Sequence, residues 1–401
     1  MIGPAHDRVQ PRVEPRVQVT AGFDAAHWID GDDLYATAGW ISCMCSRAGE
    51  EPLTIRVAAG SSDAQLVCFH NRDPDAYEAY NLGALVLRRP PVFPWDEEGM
   101  RALEAVRARW PGISEASLFP NLTAVLPGYR HPLVCAGPRG DQLAGPAVRA
   151  LVDLAWQRGA AACGVLYVPR GAEPLSSILG ELQFVRVPLT SRAVLPIAWT
   201  DLDGYVAWLP RPGRQQVRRD LRAIARIAIR SRAADPVAEL DTILRLRLAH
   251  LGKFGHAPDA GAERARLTGL VRHRAAKDFR LAITEHAGQP VAALLAVRHR
   301  DTLHGILAAT DPERAPPLTH FETAYYAPIR TLEPGLTAYD MGIGHLQSKV
   351  LRGARLAPLD AWVLAADPQH AAALGEVAAL ADRHGLEAPV RGPRSDEGAP
   401  R

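Results

Sequence analysis

The chain has 401 residues, of which 47% are hydrophobic and 22% are charged, and its formal net charge is +2. This length is sufficient for two globular domains with separate cores, and the composition is that of a soluble globular protein. No stretch of about 18 apolar residues occurs, which excludes a membrane-spanning helix, so we expect a cytoplasmic protein with no membrane partner.

The first half of the chain begins with a polar, proline-bearing segment without periodicity, which predicts a disordered arm over residues 1–20. Apolar runs and amphipathic stretches then alternate. They predict, in order, a strand at 132–136, a helix at 145–158, a strand at 163–168, a helix at 174–182 and a strand at 184–188.

An arginine-rich segment follows, with eight arginines and a single acid, Asp220, between residues 211 and 232. Helical spacing places five of the arginines on one face and an apolar stripe on the other. The arginines are Arg214, Arg218, Arg222, Arg226 and Arg230, and the stripe is Val217, Leu221, Ile224 and Ala228. Such a cationic helix is either a solvated surface element or a site for a phosphate backbone.

The second half repeats the alternation of helices and strands. Three apolar runs separated by short turns predict an antiparallel meander over 280–285, 291–297 and 302–308. The elements after it are a helix at 319–332, a strand at 336–341, a helix at 345–354 and a strand at 359–364. Helices and strands in the two halves are offset by about 174 residues, which predicts duplicated domains.

Together these patterns predict an α/β (α+β) protein with mixed central sheets flanked by helices. The predicted domains are residues 21–195 and residues 196–388, with a disordered tail at 389–401. The active site is expected in the second domain, because paired tyrosines, an acid, a Gly-x-Gly turn and one of three lysines crowd into residues 318–355.

This crowded segment resembles the Fem-like branch of the GNAT acyltransferases. The matching residues are Phe321, Glu322, Tyr325, Tyr326, Ile329, Asp340, Gly342, Gly344, Lys349, Arg352 and Gly353, and the arginine-rich helix resembles that of the family over residues 214–222. Many relatives have an aromatic residue after the final glycine, where this chain has Ala354. The resemblance implies tandem GNAT-like domains that transfer acyl or aminoacyl groups to amines, in some relatives from aminoacyl-tRNA.

The donor is the first open question. In acyl-CoA enzymes of the GNAT type, backbone amides of a glycine-rich loop after the fourth strand hold the pyrophosphate. The corresponding segment here, residues 309–318, has no glycine, three prolines and two acids. We therefore expect aminoacyl-tRNA as donor, a small-molecule amine as acceptor and no bound cofactor. Acyl-CoA or a carrier protein is the alternative donor, and a non-enzymatic RNA- or protein-binding module is the alternative function.

Four residues are predicted to be catalytic. Lys349, in the first turns of its helix, is expected to stabilise the oxyanion together with the helix dipole. Asp340 and Glu322 are the candidate proton acceptors, and Tyr325 shares the helix face of Glu322 and offers a hydroxyl. His320 and His345 lie nearby but receive no role, because single histidines at helix starts commonly cap or pack.

Six further residues are predicted to bind the donor or its phosphates. Arg352 lies on the face of Lys349, Gly342 and Gly344 form an anion-friendly turn, and the cationic helix contributes three arginines. Those three are Arg214, Arg218 and Arg222.

Several other classes of site are excluded. Gly342-Ile343-Gly344 lacks the third glycine of a dinucleotide fingerprint, and neither a P-loop nor a G-x-S-x-G elbow occurs. The five cysteines are odd in number and scattered, so we predict reduced thiols and no metal site. The sequence leaves the number of subunits open.

Overall fold

The computed structural model describes residues 14–45, 52–73, 81–88, 97–253, 259–273 and 278–384. The predicted tail at 389–401 and most of the predicted arm, residues 1–13, lie outside these ranges. Residues 16–20 of the predicted arm lie in the first strand, which pairs along its length with the second. None of the described helices is both long and apolar enough to cross a bilayer.

Thirteen strands in the described chain form one mixed sheet. They are β1 (Arg16–Ala21), β2 (Pro52–Ala59), β3 (Ser62–Asn71), β4 (Asn121–Ala124), β5 (Leu133–Ala136), β6 (Ala162–Pro169), β7 (Val185–Pro196), β8 (Arg230–Ala234), β9 (Phe279–His286), β10 (Gln289–His299), β11 (Thr302–Thr310), β12 (Ala338–Asp340) and β13 (Arg355–Ala365).

Helices cover both faces of this sheet. They are α1 (Ala38–Met44), α2 (Glu97–Arg109), α3 (Gly140–Gln157), α4 (Leu175–Glu181), α5 (Leu202–Trp208), α6 (Arg211–Ile227), α7 (Leu240–Gly252), α8 (Ala260–His273), α9 (Thr319–Phe321), α10 (Ala327–Arg330), α11 (Leu346–Leu351) and α12 (Pro368–His384), and a π-helical turn, Glu322–Tyr326, joins α9 to α10. The predicted α/β class with a mixed, helix-flanked sheet is confirmed.

The strand order joins the two halves of the chain. It runs β1-β2-β3-β4-β6-β13-β7-β12-β11-β10-β9-β8, with β5 paired to β3 off this path. The last strand of the second half, β13, lies between β6 and β7 and pairs antiparallel with both, while β7 pairs with β12. Each half therefore completes its sheet with a strand of the other half.

The internal repeat is visible in the strand directions. In the second half β11 and β12 are parallel, and in the first half the parallel pair is β4 and β6. The run at 132–136, which the offset of 174 residues matches to β11, is instead β5, a short strand paired with β3. The offset thus holds for the helices and later strands, but a different strand takes the place of β11.

Apolar side chains fill a core on each face of each half. In the second half, α5, α6 and the segment from α9 to α10 pack on one face, through residues such as Val217, Tyr326 and Ile329. On the opposite face α7 and α8 pack with α1, through residues such as Ile243 and Leu267. Both layers border the point where β11 and β12 separate.

Candidate active site

The parallel strands β11 and β12 pair over only three residues each, from Thr302 opposite Ala338 to His304 opposite Asp340. β11 continues to Thr310, whereas the chain after β12 stays beside β7, because the Met341 amide donates to the Ala193 carbonyl (2.9 Å). The two strands therefore splay and leave a V-shaped opening in the sheet.

A cavity of about 480 Å³ occupies this opening. It is lined from β11, the connection after it, the segment from α9 to α10, the end of α7, and the turn leading into α11. Its lining residues are His250, Lys253, Leu294, Gly305, Ile306, Leu307, Ala308, Thr310, Pro312, Leu318, His320, Phe321, Ala324, Tyr325, Tyr339, Met341, Gly344, His345, Ser348 and Lys349. This set contains two lysines, three histidines and no carboxylate, so the described wall of the cavity favours a ligand with negative or developing negative charge.

The helical segment that walls the cavity is held by a proline-dependent contact. Pro328 has no N–H to donate to the carbonyl four residues earlier, that of Ala324, and the segment includes a π-helical turn at this point. The Tyr339 hydroxyl of β12 donates to that carbonyl (2.9 Å). The contact attaches the helical wall to the strand on the other side of the opening.

Lys349 lines the cavity and is 6% exposed. Its ammonium donates to the carbonyls of Met341 and Gly342 (2.5 and 3.2 Å). Burial lowers the pKa of Lys349 to about 8, against the attraction of Asp340. The residue lies in the last turn of the six-residue helix α11, not in the first turns as predicted, so its side chain reaches back along the helix to the cavity.

Tyr325 lines the same cavity and is 1% exposed. Its hydroxyl has no hydrogen-bond partner within the described part of the chain. Burial raises the pKa of Tyr325, so the phenol keeps its proton. A buried hydroxyl without a partner is costly, which indicates that this one is positioned to bond a ligand.

The predicted glycine turn also reaches the cavity. Gly344 is part of its lining, and Gly342 has a φ of 72°, in the left-handed region that favours glycine. The Gly342 carbonyl accepts from both Lys349 and the Ala193 amide (3.2 and 3.0 Å), so this glycine holds the ammonium. Its amide donates to Asp340 (3.0 Å) and is therefore not presented to a ligand.

Asp340 lies outside the cavity lining, in a buried cluster between the two halves. Its carboxylate accepts from Arg130 and from the Gly342 amide (3.0 Å), and the His304 Nδ1 atom lies 3.3 Å away. Burial raises the pKa of Asp340, but Arg130, the His304 hydrogen bond and Arg192 outweigh it and hold the pKa well below its usual range. Because this carboxylate lies outside the cavity and its oxygens are bound within the cluster, the geometry does not support the role predicted for it as a proton acceptor.

Glu322 also lies outside the cavity lining. It is 2% exposed, and both of its oxygens accept from the Arg330 guanidinium (2.5 and 3.0 Å). Such a bidentate pair ties two turns of the helical segment together. The predicted role of Glu322 as a proton acceptor therefore conflicts with its position and partner.

Arg352 is 3% exposed and has its partners within the protein. It donates to the Asp220 carboxylate (2.5 Å), the Tyr326 hydroxyl (3.0 Å) and the Ser348 carbonyl (2.9 Å). The Tyr326 hydroxyl in turn donates to Asp220 (2.6 Å). The predicted phosphate clamp is therefore a buried ion pair that attaches α6 to α11.

The cationic face of α6 is present as predicted, with one change. Arg218 and Arg222 are exposed and Arg214 is half-buried, and Arg214 donates to the Leu209 carbonyl (2.9 Å). None of these three arginines is ion-paired with a carboxylate in the described chain. The helix ends at Ile227, so Arg230 lies in β8 and extends the exposed positive charge beyond the helix.

Three histidines line the cavity although the sequence assigned them no role, namely His250, His320 and His345. The rings of His320 and His345 have centroids 6.0 Å apart, and His320 also contacts Tyr325 (5.8 Å). Their closeness to the crowded segment was the only sequence signal for two of them. His250 lies in α7, on the opposite side of the sheet, and had none.

A second cavity, of about 410 Å³, lies between β8 to β11 and the end of α10. Two of its rim arginines, Arg280 and Arg298, share the Glu333 carboxylate, and a third, Arg330, binds Glu322. Each of these three guanidinium groups is thus already paired with a carboxylate of the chain. The cavity between β11 and β12 is the better candidate site, because Lys349 and Tyr325 line it and the Tyr325 hydroxyl has no hydrogen-bond partner among the described residues.

Part of the chain is similar to a known family. Residues 211–349, about one third of the chain, match the family model described as "Acetyltransferase (GNAT) domain". No curated protein matches the sequence.

Among solved structures, the chain is similar to FemX (13% identity, TM-score 0.47, 85% of this chain and 94% of that one). It is also similar to the C-terminal domain of a putative lysylphosphatidylglycerol synthetase from Agrobacterium fabrum (13% identity, TM-score 0.45, 67% of this chain and 84% of that one). A third similar structure is L-PGS from Bacillus licheniformis (11% identity, TM-score 0.44, 64% of this chain and 82% of that one). At these TM-scores the likenesses carry no conclusion about activity. The match runs from α6 through β8 to β12 and ends at Lys349 in α11, so this part of the chain is similar to the "Acetyltransferase (GNAT) domain".

Proposed function

We propose that this protein transfers an aminoacyl group from aminoacyl-tRNA to a small-molecule amine, with the cavity between β11 and β12 as the site of reaction. The amine nitrogen attacks the ester carbonyl, and negative charge develops on the carbonyl oxygen. Lys349 has three N–H donors, of which two bond backbone carbonyls, so one remains for this oxygen. The Tyr325 hydroxyl supplies a second donor.

The observation that carries the choice of donor lies in the connection after β11. The Asp311 carboxylate accepts hydrogen bonds from the amides of Glu313 and Arg314 (3.1 and 3.2 Å). Amides at this place are those that would hold the pyrophosphate of an acyl-CoA, and here a carboxylate of the chain itself occupies them. This occupation disfavours acyl-CoA.

The cationic face of α6 favours a nucleic acid in its place. Arg218 and Arg222 are exposed and unpaired with carboxylates in the described chain, and the opposite face of the helix is fixed to α11 by the Asp220–Arg352 pair. Because α11 carries Lys349, the arginines are attached rigidly to the element that supplies the ammonium. A tRNA phosphate backbone is the kind of polyanion that this face would bind.

Binding of radiolabelled aminoacyl-tRNA, measured by filter retention over a series of salt concentrations, tests the proposal. Affinity should fall steeply with salt, and reversing two charges with Arg218→Glu and Arg222→Glu should reduce the slope of log K against log salt by about 2. The matched control reverses two exposed arginines of the first half, Arg149→Glu and Arg158→Glu, which should leave the slope unchanged. Salt-insensitive binding by the wild-type protein contradicts the proposal.

One observation favours a second donor. The matching family model is named for acetyl transfer, which in this class draws on an acetyl thioester. Calorimetric titration with acetyl-CoA separates the two, because the occupied amides of the β11 connection predict no measurable binding. A micromolar dissociation constant for acetyl-CoA would move the assignment to that donor.

A further inference from the structure

The described wall of the reaction cavity has no carboxylate, and the two acids predicted as proton acceptors are bound to arginines elsewhere. Amide formation nevertheless releases a proton from the attacking nitrogen. We propose that His320 accepts this proton, an inference that rests on the proposed aminoacyl transfer. The cavity also contains two other histidines, so the choice among the three must come from geometry.

His320 lies in α9, on the helical wall that also carries Tyr325. The centroid of its ring lies 5.8 Å from that of Tyr325 and 6.0 Å from that of His345. His320 therefore stands between Tyr325 and the turn that leads to Lys349. Neither ring nitrogen of His320 is hydrogen-bonded to a residue in the described part of the chain. His250, by contrast, has interactions of its own within the protein and lies on the far side of the sheet.

The surroundings of His320 keep its imidazole neutral. Burial, together with the nearby positive groups, lowers the pKa of His320 to about 4. The charged or titratable groups that face it are His345, Lys349, His250 and Arg352, together with the Tyr325 phenol. A lone pair is therefore available at neutral pH. Negative charge that develops on the substrate beside Lys349 favours the protonated ring, so the basicity of His320 rises when the proton must be taken.

The proposed step balances without a further reactant. The amine nitrogen forms a bond to the carbonyl carbon, and the π electrons of the carbonyl move to its oxygen. The nitrogen then gives one proton to the imidazole of His320. When the carbonyl re-forms, the bond between carbon and the ribose oxygen breaks, and the departing oxygen takes the proton back. The products are the amide and tRNA with a free hydroxyl, and His320 returns to its neutral form.

Reaction with diethyl pyrocarbonate, followed residue by residue with mass spectrometry on the full chain, tests the state of His320 without a substrate. The reagent modifies neutral, accessible imidazoles. We expect the rate at His320 to change less than about twofold between pH 5.5 and 7.5, whereas N-acetylhistidine, with a pKa near 6.5, slows about tenfold at the lower pH. Failure of His320 to react, or a tenfold decrease at pH 5.5, overturns the proposal.

Single-turnover transfer tests the role itself. The probe is labelled aminoacyl-tRNA with hydroxylamine as a generic acceptor, corrected for the uncatalysed reaction. His320→Gln should slow transfer about 100-fold or more with unchanged tRNA affinity, because a general base typically contributes that much. The control, His286→Gln at the β9–β10 turn, should transfer at the wild-type rate.

The outcomes separate the two proposals. A His320→Gln variant that transfers within about threefold of wild type, or an equal loss found only in His345→Gln, overturns the assignment of His320. Absence of transfer by the wild-type protein, with His320 reacting as a neutral imidazole, instead overturns the aminoacyl-tRNA proposal and the role that rests on it, while leaving the state of the ring established.

Discussion

The buried pair of Asp220 and Arg352 predicts a large loss of stability when one carboxylate oxygen of Asp220 is replaced by an amide nitrogen. Both side chains are 3% exposed, and the guanidinium also bonds Tyr326 and the Ser348 carbonyl. Asp220→Asn keeps the shape of the acid but removes its charge, and so leaves a buried cation without compensation. Breaking a buried ion pair from one side costs about 3–5 kcal/mol, a large part of the roughly 5–15 kcal/mol that stabilises a typical domain.

Urea unfolding followed by circular dichroism measures this loss. The exposed pair Arg232–Glu239, with side chains 44% and 21% exposed, provides the control, because Glu239→Gln should cost less than about 1 kcal/mol. Adding Arg352→Met to Asp220→Asn removes the uncompensated charge and should recover more than half of the loss. The structural role of Arg352 is refuted if Asp220→Asn costs as little stability as the control, or if the double variant recovers none of the loss. Arg352 would then be a candidate for ligand binding again, as the sequence predicted.

The cavity residues predict effects on rate and stability. Lys349→Met should reduce single-turnover transfer about 100-fold, as expected for loss of an oxyanion donor, while the protein remains folded; full activity removes Lys349 from the mechanism. Since the pKa of Lys349 is about 8, wild-type transfer should fall as pH rises through 8, and a rate that keeps rising above pH 9 contradicts an ammonium donor. The same lowered pKa means that burial of the Lys349 charge opposes folding below pH 8. The free energy of unfolding in urea should therefore rise between pH 8 and about 10.5, and this rise should be absent in Lys349→Met. Gly353→Ala should cost at least about 2 kcal/mol in urea unfolding, because Gly353 has a φ of 91° and an added Cβ would lie 2.6 Å from Trp208; a stability within 0.5 kcal/mol (roughly the noise of surface changes) contradicts that packing.

Local patterns predicted most of what lies near the cavity. The meander of β9 to β11, the amphipathic helix α6 and the alternation after it follow from side-chain periods of two and 3.6, which depend only on neighbours in sequence. The scarcity of lysine pointed correctly to a residue in the cavity. Tyr325, chosen over Tyr326 because it lies three residues after Glu322, lines that cavity, although Glu322 itself does not.

The electrostatic partners could not be predicted in this way. Asp340 binds Arg130, 210 residues earlier, and Arg352 binds Asp220, 132 residues earlier. No periodicity links residues so far apart, and a charged side chain in a motif looks the same whether it faces a substrate or a buried ion of opposite sign. Roles assigned to Asp340 and Arg352 from the motif alone therefore missed the partners that hold them.

The exchange of strands between the halves joins them into one continuous sheet that cannot be divided without breaking strand pairs. A protein cut in the linker after Pro196 would leave β12 without its neighbour β7 and β6 without its neighbour β13, so neither fragment has a complete sheet to fold on. Movement of one half as a rigid lid over the other would have to break those same ladders. Access to the cavity between β11 and β12 must therefore come from shifts of helices and loops around a fixed frame, which the first half helps to hold in place.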